Sequence, residues 1–81
     1  MSMKMVEIYS TPTCHFCNEA KSYFAENKVA YSAHDVASDA QKRQEMIKLT
    51  GQLGVPVIVI DKKVIIGFDQ AEIAKELDLA H

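Results

Sequence analysis

Two cysteines, Cys14 and Cys17, are the residues of this 81-residue chain whose type and spacing could do chemistry. A thiolate attacks disulfides, and two neighbouring thiols can alternate between a dithiol and a disulfide. Because the loop between them is so short, a disulfide here would remove little entropy from the unfolded chain and would add little stability. The pair is therefore better suited to redox chemistry than to stapling the fold.

Metal binding is the main competing interpretation of a Cys-x-x-Cys pair. A structural zinc site needs four ligands, and the three histidines, His15, His34 and His81, supply no second pair at a suitable spacing. We therefore predict no metal site within one chain. Two alternatives stay open: an iron–sulfur cluster shared by two chains, and an inert thiol pair in a module that binds without turnover.

The composition is that of an ordinary soluble globular chain, with 48% hydrophobic and 25% charged residues. The length allows one domain, which we place over residues 1–81. A net charge of −2 does not favour nucleic-acid binding, which usually shows a basic stripe. The sequence has no apolar run of about 18 residues and no signal-peptide core, so we expect a cytoplasmic protein without membrane contact. We also expect a monomer.

The cysteine pair follows a predicted strand and opens a predicted helix. The strand, Lys4 to Tyr9, is mostly apolar, and the helix runs from His15 to about Asn27. Apolar residues recur in this helix at a spacing that places them on one face. They are Phe16, Ala20, Tyr23 and Phe24. A second strand is predicted from Val29 to Val36.

The second half of the chain predicts a helix, a hairpin and a last helix. Ser38 and Gln41 form a capping box that starts a helix ending at Gly51. The buried side of that helix is predicted to be Met46, Ile47 and Leu49. The β-branched runs Val55 to Ile60 and Val64 to Ile66 predict two strands around the turn Asp61-Lys62-Lys63. Asp69 is the expected N-cap of a third helix that runs to about Leu79.

These elements predict an α/β domain with a mixed four-stranded sheet and three helices. A strand–helix–strand unit places its two strands in parallel with a right-handed crossover, and the hairpin is antiparallel. Cys14 then lies at a helix N-terminus, where free N–H groups and the helix dipole stabilise a thiolate and lower the thiol pKa from about 8.5. Cys17 lies one turn deeper. We therefore predict that Cys14 attacks the substrate disulfide and that Cys17 resolves the mixed disulfide.

The chain resembles the glutaredoxin family of the thioredoxin superfamily over nearly its whole length. Four segments carry the resemblance, in the family's order and spacing. They are Val6-Glu7-Ile8-Tyr9-Ser10, Cys14-His15-Phe16-Cys17, Gly54-Val55-Pro56-Val57 and Gly67-Phe68-Asp69. The resemblance implies the thioredoxin-like fold with strand order 2-1-3-4.

The resemblance also implies a substrate groove beside the cysteines. Pro56 would follow a cis peptide bond, and Val55 would pair its backbone with the substrate chain. Gly67 and Asp69 would hold the γ-glutamyl end of glutathione at a helix N-terminus. The other expected substrate contacts are Thr13, His15, Phe16, Gln52 and Phe68. His15 could also favour the thiolate as an imidazolium, and Phe16 could instead pack on its helix face.

The chain departs from the family pattern at three places. The usual Cys-Pro-Tyr-Cys is Cys14-His15-Phe16-Cys17, the usual lysine is Thr11, and the usual Gly-Gly is Ile66-Gly67. The last two changes weaken the case for glutathione as the reductant. We therefore predict a thiol-disulfide oxidoreductase with no tightly bound cofactor, acting on protein or glutathione mixed disulfides. Its electron donor would be glutathione, as a co-substrate, or a flavoenzyme of the thioredoxin-reductase type.

Overall fold

The computed structural model describes residues 5–77 and has the element order βαβαββα. The strands are β1 (Val6–Ser10), β2 (Ser32–Asp35), β3 (Val57–Ile60) and β4 (Lys63–Ile66). The helices are α1 (His15–Glu26), α2 (Ala40–Thr50) and α3 (Gln70–Leu77). One sheet with the order β2-β1-β3-β4 contains all four strands, which confirms the predicted thioredoxin-like fold class.

The pairing of the strands brings three chain segments to one end of the sheet. β1 runs parallel to β2 and antiparallel to β3, and β3 runs antiparallel to β4. Val57, the first residue of β3, lies opposite Tyr9 of β1 and Ile66 of β4. The segments that leave β1, enter β3 and leave β4 therefore meet at this end. These are the segments that carry Cys14, Pro56 and Gly67.

The central strands β1 and β3 are largely buried on both faces, and successive side chains of a strand point to opposite sides of the sheet. One core cluster joins Ile8 and Ile58 of the sheet to Phe24 of α1 and Ile73 of α3. The other joins Tyr9, Val57 and Val59 to Met46 of α2. Helices α1 and α3 thus cover one face, and α2 covers the other.

Helix α1 ends without a glycine, and this ending shortens the second strand. Lys28 adopts a left-handed conformation with a φ of 57°, and its N–H donates to the Ala25 carbonyl at 3.2 Å. The Val29 N–H donates to the Phe24 carbonyl at 2.8 Å, which completes a Schellman motif. The predicted strand start at Val29 is therefore wrong, because this residue caps α1 and β2 begins at Ser32.

Helix α2 is capped by Asp39, so the capping box predicted at Ser38 is wrong. The Asp39 carboxylate accepts from the Lys42 N–H at 3.1 Å. A turn closes just before it, since the Asp39 N–H donates to the Asp35 carbonyl at 2.9 Å and the Asp35 carboxylate accepts from Ala37. Ser38 lies within this turn and outside the helix. Gly51 ends α2 as predicted, with a φ of 73°.

Two apolar residues predicted to be buried are exposed. Phe16 is 57% exposed, whereas Cys17, Ala20, Tyr23 and Phe24 form the buried face of α1. Leu49 is 47% exposed on α2, where only Met46 is fully buried and Ile47 is half-buried. Phe16 lies one position before the buried Cys17, whereas Leu49 lies on the Met46 side of α2 and lines an open pocket with Tyr9 and Val59.

The hairpin turn is shorter than predicted, because Lys63 already belongs to β4. Asp61 takes a φ of 54°, and its backbone N–H donates to the Met5 carbonyl at 2.8 Å. Its carboxylate accepts from the Met5 N–H at 2.9 Å, so the turn is tied to the chain that enters β1. The predicted strand start at Lys4 and helix end at Leu79 lie outside the described residues.

Candidate functional site

Cys14 is the N-cap residue of α1 and is half-buried. The turn before it is closed by the Cys14 N–H, which donates to the Thr11 carbonyl at 3.3 Å. Its backbone is extended, and its carbonyl accepts the first helical hydrogen bond from the Asn18 N–H at 3.1 Å. The Cys14 Sγ accepts from the Cys17 N–H at 3.1 Å, so the sulfur occupies the place of a capping oxygen.

The two cysteines are joined as a disulfide, and their Cα atoms lie 5.2 Å apart. Their accessibility differs, since Cys17 is 0% exposed and Cys14 is half-buried. Cys14 is therefore partly accessible to solvent, whereas Cys17 is not. This asymmetry follows from the helix, which carries Cys17 on the face that packs against the sheet.

The start of α1 favours negative charge on the Cys14 sulfur. The first turn contains no acidic side chain, so the helix dipole and free N–H groups are not already neutralised there. His15 lies beside the pair, but its Nε2 is 3.3 Å from Glu19 Oε1 and its side chain is 78% exposed. Its ring also meets the Phe16 ring edge-on at 5.4 Å. The described partners of the His15 ring are thus Glu19 and Phe16.

The Val55–Pro56 peptide bond is cis, as the resemblance implied. The Pro56 carbonyl accepts from the Gly67 N–H at 2.8 Å, which fixes the β4–α3 connection against the entry to β3. Gly67 has a φ of 85°, a conformation that suits glycine because it has no Cβ. Val55 is half-buried against the cluster under α2. The structure therefore holds these three predicted groove residues in one hydrogen-bonded unit.

Asp69 is the N-cap of α3, as predicted. Its carboxylate accepts from the Glu72 N–H at 3.1 Å, and its carbonyl accepts from the Ile73 N–H at 2.9 Å. Phe68, the residue before it, is half-buried and meets the Tyr23 ring edge-on with centroids 5.8 Å apart. Phe68 thus joins the start of α3 to α1.

The remaining predicted substrate contacts lie on loops at the same end of the molecule. Thr13 is exposed in the turn before Cys14. Gln52 is exposed in the loop between α2 and Pro56, where its N–H donates to the Thr50 hydroxyl at 3.2 Å. Its side-chain amide lies against Gly54, since a Cβ on Gly54 would be 3.5 Å from Gln52 Nε2. Leu53, beside it, is also exposed.

Sequence reasoning missed a groove of about 450 Å³ between α1 and the start of α3. Its α1 wall includes His15, Glu19, Ser22 and Glu26, which follow one another at helical spacing, and Tyr23. Phe68 and Gln70 line the opposite side. We name this feature the α1 groove. The spacing of the polar α1 residues was visible in the sequence, but the opposite wall comes from a distant segment, so only the fold reveals the groove.

The opposite face of the sheet carries a second set of ionisable groups. Burial raises the pKa of Tyr9, and the nearby carboxylates of Glu7 and Glu45 raise it further. Glu7 Oε1 lies 2.9 Å from Nε2 of His34. The His34 ring packs at a tilt against the Tyr9 ring, with the ring centroids 5.1 Å apart. A hydrogen bond and the charge of Glu45 also raise the pKa of Lys42. These groups lie on the α2 side of the sheet, away from the cysteine helix.

Within residues 5–77, no three or more His, Cys, Asp or Glu side chains come together as a group that could hold a metal ion. None of the helices described over the same range is long and apolar enough to cross a membrane.

A Cys-x-x-Cys pair at the start of the first helix and a cis-proline at the entry to the adjacent strand β3, on this sheet order, define a dithiol protein of the thioredoxin-like fold. A family model described as glutaredoxin matches residues 6–65. The chain belongs to the glutaredoxin family.

Two curated relatives support this assignment. The chain is 45% identical over 74 residues to an uncharacterized glutaredoxin-like 8.6 kDa protein in the rubredoxin operon of Clostridium pasteurianum, covering 91% of this chain and 99% of that protein. It is 40% identical over 67 residues to glutaredoxin 3 of Escherichia coli (strain K12), covering 83% of this chain and 81% of that protein.

Solved structures share the fold. The crystal structure of a mutant thioredoxin-like protein superposes with a TM-score of 0.89 at 32% identity, covering 96% of this chain and all of the other. A buckwheat glutaredoxin in complex with glutathione superposes with a TM-score of 0.73 at 20% identity, covering 93% of this chain and 71% of the other. The second likeness shows the fold alone.

Proposed function

We propose that this glutaredoxin-family protein is an oxidoreductase that reduces protein or glutathione mixed disulfides through Cys14 and Cys17. The observation that carries the proposal is the difference between the two sulfurs. The Cys14 sulfur caps α1 and belongs to a partly exposed residue, whereas Cys17 is fully buried one turn later. A stabilised, accessible thiolate is the attacking species in thiol–disulfide exchange.

The reaction balances as a two-electron cycle. The Cys14 thiolate attacks one sulfur of the substrate disulfide, and the other sulfur leaves as a thiolate that takes up a proton from water. The Cys17 thiol then loses its proton and attacks the Cys14 sulfur, so the second substrate thiol is released. The protein is left with the Cys14–Cys17 disulfide, and an external two-electron donor reduces it to the dithiol.

The segments around Pro56 and Gly67 form the proposed substrate groove. Val55 offers backbone groups to an extended substrate chain, and the N–H groups at the start of α3, near Gly67 and Asp69, suit a carboxylate such as that of glutathione. Phe16, whose ring is exposed, is an apolar contact next to Cys14. Thr13, His15, Gln52 and Phe68 complete the set of proposed contacts.

The proposed reductant is glutathione or a flavoenzyme of the thioredoxin-reductase type. Support for glutathione comes from the family assignment. Thr11, where glutathione users carry lysine, favours the flavoenzyme. Either donor operates in a reducing compartment such as the cytoplasm, where we place the protein. NADPH oxidation coupled to glutathione and its reductase, or to thioredoxin reductase, identifies the donor.

Trapping of the mixed disulfide tests the proposed roles. With Cys17→Ser, attack by Cys14 proceeds but resolution does not, so mass spectrometry should detect a stable adduct on Cys14. The matched variant Cys14→Ser should form no adduct, because its remaining thiol is buried. An adduct on Cys17 in the matched variant, or full reductase activity without Cys14, would overturn the proposal.

A further inference from the structure

We propose that the α1 groove binds a basic segment of the protein substrate, so that this protein prefers disulfides flanked by lysine or arginine. The inference rests on the proposed function, because the groove begins at His15, next to the sulfur that attacks. It adds a specificity determinant along α1, away from the segment that carries Val55 and Pro56 and next to the one that carries Gly67.

The charge of the α1 groove is negative. Glu19 and Glu26 line it, and no lysine or arginine is among its lining residues within the described part of the chain. His15 forms one end, with its imidazole 3.3 Å from the Glu19 carboxylate. Two carboxylates in an open groove attract cationic partners and repel acidic ones, which acts mainly on the rate of association.

Glu26 adds no stabilising interaction to the free protein over residues 5–77. It lies in the last turn of α1, where the helix dipole disfavours a negative charge, and that turn contains no basic residue. In the range 5–77 the ion pairs of the structure do not include Glu26. A carboxylate that does not stabilise its own helix is available to a partner.

An independent feature of the same groove is the hydroxyl of Tyr23. This side chain lines the groove although the residue is only 8% exposed, and its buried hydroxyl finds no hydrogen-bond partner among the described residues. A buried polar group without a partner is costly, so binding that opens this hydroxyl to a ligand donor is favoured. The guanidinium or ammonium of a basic side chain is such a donor, and the Tyr23 and Phe68 rings add cation–π attraction.

The helix sets where the basic residues of the substrate should stand. At a rise of about 1.5 Å per residue, Glu19 lies about 7 Å and Glu26 about 18 Å along α1 from Cys14. An extended chain covers about 3.3 Å per residue, so these distances correspond to about two and about five residues from the substrate cysteine. A substrate with lysines at both spacings meets both carboxylates while its disulfide lies at Cys14.

Two synthetic peptides test this preference. Each carries one cysteine as a mixed disulfide with thionitrobenzoate, and each has either lysine or glutamate two and five residues from that cysteine, on both sides. Reduced protein attacks the disulfide and releases coloured thionitrobenzoate, while its own dithiol becomes the disulfide and frees the peptide thiol. At low salt we expect the lysine peptide to react about tenfold faster than the glutamate peptide, and salt to shrink the difference.

Charge-neutral variants assign the effect to the groove. Glu26→Gln should lower the rate for the lysine peptide about threefold and leave or raise the rate for the glutamate peptide. Glu45→Gln removes the same charge from α2, on the other face of the sheet, and should change neither rate. Glu26→Gln should also fold at least as stably as the parent, because it removes a charge that the helix dipole disfavours.

Each outcome separates this inference from the proposed function. Equal rates for both peptides, or equal effects of Glu26→Gln and Glu45→Gln, would overturn the inference while leaving disulfide reduction in place. No reaction with either peptide would contradict the proposed function itself.

Discussion

The N-termini of α1 and α2 are built alike but capped by different atoms. At α2 the Asp39 carboxylate accepts from the Lys42 N–H at 3.1 Å, and at α1 the Cys14 sulfur accepts from the Cys17 N–H at the same distance. A carboxylate is a strong and permanent cap, whereas a neutral thiol accepts hydrogen bonds only weakly. Helix α1 therefore has a cap that becomes strong only when the sulfur is a thiolate.

The two caps show that the same helix N-terminus can stabilise either a structural carboxylate or a reactive thiolate. The free N–H groups and the dipole that hold Asp39 in place would stabilise charge on Cys14 in the same way. At α2 these groups only stabilise the helix, because the capping residue is an exposed aspartate and not a nucleophilic thiol. The α1 end uses them for reactivity, since its sulfur lies at the end of the sheet where the Pro56 and Gly67 segments meet.

Making the two helix ends alike should produce the largest effect. Cys14→Asp gives α1 the cap of α2, so disulfide reduction should fall by about 10³-fold or more because the nucleophile is gone. The free energy of unfolding should exceed that of Cys14→Ala by about 1 kcal/mol, owing to the restored cap. Urea unfolding of both variants under reducing conditions measures this. Equal stability of the two variants would contradict a capping role for this position.

Removing the α2 cap should affect stability but not activity. Asp39→Ala leaves the Lys42 N–H without its acceptor and should lower the free energy of unfolding by about 1 kcal/mol. The neighbouring change Ser38→Ala is the matched control, and its effect should stay within about 0.5 kcal/mol because Ser38 lies outside the helix. A larger loss from Ser38→Ala than from Asp39→Ala would restore the capping box predicted from the sequence.

A smaller, pH-dependent effect is expected on the α2 side of the sheet. The pKa of Tyr9 is raised, first by burial and then by Glu7 and Glu45. Above about pH 10 the unfolded chain releases the phenol proton while the folded protein still holds it, so stability falls as the pH rises. Denaturant unfolding of the oxidised protein should show this decline, and Tyr9→Phe should flatten it. An unchanged slope in Tyr9→Phe would assign the decline to other groups.

The fold could be predicted from the sequence because local patterns agree with one another. The strand–helix–strand order, the presence of the hairpin and the Gly51 and Asp69 caps agree with the sequence prediction. The capping error falls where two adjacent residues have similar propensities. Ser38 and Asp39 are both good caps, and only the turn from Asp35 to Asp39 selects the second.

From local patterns alone, the candidate site could be predicted only where its residues lie close together in the chain, and the Pro56 and Gly67 segments were predicted from the family resemblance. The Cys14–Cys17 pair and its position at a helix start follow from spacing alone. The exposure of Phe16 was harder to predict, because neighbouring positions on a helix can lie on its buried and its exposed side, as Cys17 and Phe16 do. The α1 groove needs Phe68 beside Tyr23, a contact between residues far apart in sequence that no local pattern encodes.

Alkylation of the two thiols shows directly whether the helix start makes Cys14 the reactive sulfur. The reduced protein is treated with iodoacetamide at about pH 6, and mass spectrometry follows modification at each cysteine with time. Cys14 should react at least about tenfold faster than Cys17, because a stabilised and accessible thiolate persists there at acidic pH. Equal rates, or faster modification of Cys17, would contradict the account.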